Sequence, residues 1–128
     1  MATALSWEAY IEQSTDSWPM DAREYARNLA DWFASDPFGD WPKGFTANHI
    51  LAGKCRKSEV VEARHIIMYL MRKRSDMTLQ SIAALVNRHY TTAVYATSRC
   101  TQSDKFEPLL ANKLRAAEAK TSTWSAAF

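Results

Sequence analysis

A chain of 128 residues has room for one hydrophobic core, and its 47% hydrophobic and 23% charged residues are the composition of a globular domain rather than of a disordered chain. Only three glycines, four prolines and no long β-branched alternation argue for helices, and no apolar run approaches the roughly 18 residues of a membrane span. The opening MATALSWEAY has neither a basic start nor an apolar stretch of the secretory kind, so a cytoplasmic, nucleoid-associated protein with no membrane partner is expected.

The net charge of +2 conceals an uneven distribution. Residues 1–50 hold three Lys/Arg against eight Asp/Glu, residues 51–100 nine against three, and residues 101–128 four against three. Any polyanion is therefore expected at the middle of the chain. Cys55 and Cys100 lack CxxC spacing, so free thiols are expected rather than zinc or a redox pair.

In chain order, SWEAYIEQ (6–13) reads as a short helix capped by Ser6. Pro19 suits a first helical turn, and Ala22, Tyr25, Ala26, Leu29, Trp32 and Phe33 recur at helical spacing, predicting a helix over 19–34. SDPFGDWPKGF (35–45) is a loop whose Phe38, Trp41 and Phe45 are expected to tuck onto the core. Four of the five tryptophans, Trp7, Trp18, Trp32 and Trp41, precede residue 42. They read as core residues, or else as anchors for a protein partner or a second copy of the chain.

Thr46 is expected to cap a short helix, ANHILA, that Gly53 ends. KCRK (54–57) is an exposed basic loop, and Ser58 caps a helix over 58–74 with Val60, Ala63, Ile67, Leu70 and Met71 as its apolar stripe. Arg64, Met68 and Arg72 follow at i, i+4, i+8 on a neighbouring face, which would set the two arginines about 12 Å apart, a spacing suited to backbone phosphates. Thr78 caps a helix with Leu79, Ile82, Ala83 and Val86 inward, and Asn87-Arg88-His89 makes a sharp turn. In the next helix, YTTAVYATSRC, Ala93, Ala96 and Cys100 form a small buried edge. Tyr90, Thr91, Thr92, Tyr95 and Arg99 then project, the hydroxyls, rings and guanidinium a DNA groove can use. A last helix is expected from Ser103 or Asp104, with Leu109, Leu110, Lys113, Leu114 and Ala117 as its strip.

The pieces Arg56 in KCRK, ARHIIMYLMRK (63–73), TLQSIAALV (78–86) and RHYTTAVYA (88–96) follow one another as in the C-terminal DNA-binding domain of the bacterial replication initiator DnaA, which residues 54–100 resemble. That resemblance implies an all-α, compact helical domain containing a DnaA-domain-IV-like, TrpR-like helix-turn-helix. It implies Arg56 in the minor groove, phosphates held by Arg64, His65 and Arg72, and Tyr90, Thr91 and Thr92 in the major groove with Arg88 nearby. Two departures stand out: His89-Tyr90 replaces the family's Asp-His pair, and the turn reads one residue shorter. The resemblance therefore implies the two-groove binding mode rather than the initiator's own box. No G-x-x-x-x-G-K-[ST] loop occurs in the sequence, so nucleotide-driven assembly is not expected of this chain.

His49, His65 and His89 have no second ligand at metal-binding spacing, and no nucleophile elbow is present, so neither a metal, a cofactor nor an enzyme is expected. The reading divides the chain into an acidic, Trp-rich segment (1–45), a helix-turn-helix domain (46–120) and a flexible tail (121–128). Its function is sequence-specific duplex binding that regulates transcription or replication initiation. Lys54, Lys57, Arg64, Arg72 and Arg99 anchor phosphates, Arg56 enters the minor groove, and Arg88, His89, Tyr90, Thr91, Thr92 and Tyr95 lie at the reading helix. The alternative is an adaptor that binds a replication or transcription factor through the N-terminal segment, or a homodimer formed by it.

Overall fold

The computed structural model describes residues 21–124. Its helices are α1 Ala22–Ala34, α2 Ala47–Leu51, α3 Ser58–Arg74, α4 Leu79–Leu85, α5 Tyr90–Thr101, α6 Ser103–Phe106 and α7 Pro108–Thr121, with no strand among the described residues. The all-α architecture read from the sequence is the one found. The helix expected over 6–13, with Trp7 and Trp18, and the start at Pro19 lie outside the described residues.

The axis of the fold is α3, which packs against α1, α2, α4, α5 and α7. Being surrounded, it buries more than one stripe. Val60, Ala63, Ile67, Leu70 and Met71 are inward as their spacing requires, but Ile66 and Met68 are fully buried too. The face expected to carry Arg64 and Met68 to solvent is covered by neighbouring helices.

α1 begins at Ala22, where the Asp21 carboxylate caps it by accepting from the Glu24 N–H at 2.9 Å. Tyr25, Leu29 and Phe33 enter the same core as α3, with Trp32 and Trp41 half-buried against it. In the following loop Asp36 takes a positive φ of 66° and its carboxylate accepts from the Trp41 N–H at 2.9 Å. Trp41 Nε1 in turn donates to the Phe45 carbonyl at 2.7 Å, so Phe38, Trp41 and Phe45 lie on the core as expected.

Thr46 and His49 form a reciprocal capping box at α2. Gly53 does end this segment, but not by a left-handed backbone: a Cβ there would stand 2.9 Å from His49 Cα, so close approach is what requires glycine. Lys57, not Ser58, is the N-cap of α3, and the Ser58 hydroxyl donates to Glu59 Oε2 at 3.2 Å.

The single last helix expected from Ser103 or Asp104 is two, because Pro108 opens a new helix and pushes Glu107 to φ −140°, ψ 73°. Leu109 consequently leaves the apolar strip and is 77% exposed, while Leu110, Ala111, Leu114 and Ala117 are buried. Lys113 reaches Asp40 at 2.6 Å and Glu62 at 2.8 Å, tying the loop after α1 to α3. Part of the span expected to be a flexible tail is docked: Trp124 lies edge-on to Tyr25, ring centroids 5.6 Å apart. Arg74 donates to the carbonyls of Thr121 and Trp124, both at 2.7 Å, with its guanidinium 5.5 Å from the Tyr25 ring.

Candidate nucleic-acid interface

The Thr78 hydroxyl starts α4 by accepting from the Ser81 N–H at 3.1 Å, and Ile82, Ala83 and Val86 are buried beneath it. Asn87 then adopts φ 55°, the left-handed step that the sharp turn needs and asparagine tolerates. The turn closes with the Arg88 N–H donating to the Ala83 carbonyl at 2.9 Å. His89 is the N-cap of α5: its Nδ1 accepts from the Thr91 N–H at 3.3 Å and lies 3.0 Å from the Thr91 hydroxyl. An imidazole nitrogen thus caps the helix.

Ala93 and Ala96 are fully buried and Cys100 nearly so, which brings α5 close onto α3 and α4. The opposite edge stands free, with Tyr90 and Val94 each 44% exposed and Tyr95 60% exposed. Thr91 is exposed and Thr92 half-buried on the same helix. Val94 was not singled out by the sequence; its signal is that it follows the buried Ala93 by 100° of helical turn. Tyr95 rests edge-on against His65, centroids 5.5 Å apart.

Beside this edge lies the 54–57 loop. Lys54, Arg56 and Lys57 are exposed, and their side chains make no ion pair among the described residues. Lys54, Cys55, Arg56, Val61, Arg64 and Arg88 line a shallow cleft of about 360 Å³ in which no carboxylate takes part. Arg88 joins the loop to the turn, donating from Nη2 to the Gly53 carbonyl and from Nη1 to the Asn87 carbonyl at 2.9 Å. Cys55 is half-buried and its sulfur accepts from the Lys57 N–H at 3.3 Å; both cysteines are free thiols.

Three expected phosphate ligands are placed differently. Arg64 is only 3% exposed, and its guanidinium is spent on backbone carbonyls: Nε on Ile50 at 2.8 Å, Nη2 on His49 at 2.8 Å and on Gly53 at 3.4 Å. Burial and the nearby Arg88 pull its pKa down to about 10, which leaves it a cation at neutral pH. His65 is 5% exposed; burial and the neighbouring Arg99 and Arg64 depress it to about 4, so it is neutral, with Nδ1 3.1 Å from Arg99 Nη1. Arg99 does not project. It grips Glu107 through Nε at 2.8 Å and Nη2 at 2.7 Å, a bond that raises its own pKa and lowers that of Glu107. Arg72 is exposed as expected, with Nη1 on the Met77 carbonyl at 2.5 Å.

What stands together is therefore a largely exposed edge of Tyr90, Thr91, Thr92, Val94 and Tyr95, a capped helix N-terminus at His89, and the basic loop. No helix among the described residues is long and apolar enough to cross a membrane. No curated protein was found to match the chain. Residues 45–100 match the family model of the bacterial DnaA protein helix-turn-helix, a span running from Phe45 before α2 through α5 to Cys100. Over that span the chain is similar to the DnaA helix-turn-helix, and the similarity points to DNA binding.

Proposed function

We propose that the chain binds a particular duplex sequence through α5 and the 54–57 loop, and regulates transcription or replication initiation by occupying that site. The observation that carries this reading is the juxtaposition of an exposed hydroxyl and aromatic edge on α5 with three cations that form no ion pair among the described residues, across a turn that fastens the two. Tyr90, Thr91 and Thr92 face the bases, Val94 offers a methyl surface to thymine, and Tyr95 extends the edge along the groove. The Thr91 hydroxyl is shared with His89, so Thr92 has the freer hydrogen-bonding group of the pair.

Lys54, Lys57 and Arg72 anchor phosphates, and Arg56, at the loop, enters the adjoining minor groove. Selection of bound duplexes from a random pool, followed by sequencing, tests the reading directly. A recurrent motif is expected, and Thr92→Val should erode discrimination within it by about 1–3 kcal/mol. Recovery of unrelated sequences at equal affinity would overturn sequence-specific reading.

A further inference from the structure

We infer that Arg64 and Arg88 are positioning residues that bind the 54–57 arm to the start of α5, so that the arm and the reading helix meet a duplex as one rigid body. This rests on the two-contact reading above and adds residues that touch no DNA. Both guanidiniums converge on one acceptor, the Gly53 carbonyl, immediately before Lys54. Arg64 also holds the carbonyls of His49 and Ile50, so it fixes the end of α2 as well as the root of the arm. Arg88 holds the Asn87 carbonyl, and Asn87 Nδ2 reaches the Ala52 carbonyl at 3.4 Å, a second strap across the same gap.

Two like charges gathered on a single carbonyl, one of them buried, repel each other. Both charges are nonetheless spent on the segment joining arm to turn. Gly53 has no side chain to shield its carbonyl or to hold α2 away, and α2 passes close enough that a Cβ would collide with it. An untethered arm would instead pay the entropy of ordering on every binding event.

The test is a double-mutant cycle on the full chain, with a duplex selected by the unmutated protein as probe. Arg56→Ala should weaken binding, and Arg88→Ala alone should weaken it by about tenfold, equivalent to about 1.4 kcal/mol. In the Arg56→Ala background the same Arg88→Ala change should cost less than about threefold, because the minor-groove contact is already lost and only the looser Lys54 and Lys57 phosphate contacts are left to position. Arg64→Lys keeps the charge but loses the fork, and should reproduce the coupled loss; it serves as the second variant where Arg64→Ala fails to fold. Equal losses in both backgrounds would overturn the inference and mark Arg88 as an independent DNA contact. If Arg56→Ala leaves affinity unchanged, the arm contact itself is wrong and the inference falls with it.

Discussion

Arg64 and Arg72 lie two turns apart on one helix and have opposite fates. Arg64 is enclosed by α2 and the loop and serves three carbonyls, whereas Arg72 stands at the exposed end of α3. Arg64→Ala should therefore cost folding stability, about 2–4 kcal/mol, since it strands buried acceptors. Arg72→Ala should change stability by less than about 0.5 kcal/mol while weakening every duplex alike. Denaturant titration beside gel shifts separates the two, and an exchange of these effects would contradict the placement. His65 adds a pH dependence. Its folded pKa of about 4 lies below the ordinary 6.5, so the folded state binds fewer protons and the stability from neutral His65 is complete above 6.5. It is lost as pH falls from 6.5 towards 4, on the order of 3 kcal/mol in all. Glu107, depressed by Arg99, loses stability in the same direction at lower pH. The difference between the unmutated chain and His65→Gln isolates the histidine; parallel pH profiles would refute it. The burial of Arg64 and His65 was not legible in the sequence, because i, i+4, i+8 spacing says that residues share a face and is silent on what covers it.

At the level of elements, α4, the turn and α5 were the most legible part of the chain. Ala93, Ala96 and Cys100 mark the buried edge by small size at helical spacing, and Asn87 marks the left-handed turn. Such close seating predicts that Ala96→Leu lifts α5 from its support, costing about 1–3 kcal/mol and degrading DNA reading although residue 96 faces away from the edge. A thermal melt with unchanged midpoint would refute the close seating. Less was readable after Cys100. Pro108 starts a new helix and the chain turns at Glu107, so Leu109 faces outward while Leu110, Leu114 and Ala117 keep the inward phase their spacing gives them. The same Glu107 then becomes available to Arg99, a contact eight residues apart that no periodicity signals.

For the molecule as a whole, the nine cations of residues 51–100 overstate its attraction for polyanions. Lys73 pairs with Glu118, Arg99 with Glu107, and Arg64, Arg74 and Arg88 are taken up by carbonyls. With Lys54, Lys57 and Arg72 as phosphate anchors, the logarithm of affinity should fall against the logarithm of salt with a slope of about −3. A slope near zero, read from binding at several salt concentrations, would overturn the phosphate assignments. The charge asymmetry along the sequence counts cations without their partners, because side-chain pairing is settled only when helices meet.

The Tyr25, Arg74 and Trp124 cluster has a topological corollary: the two ends of the described span are next-door neighbours. A span whose ends nearly touch can be spliced there and reopened in a surface loop elsewhere. A circular permutant made that way would present an unaltered reading edge, and the ends of the original span would become a place to graft other modules.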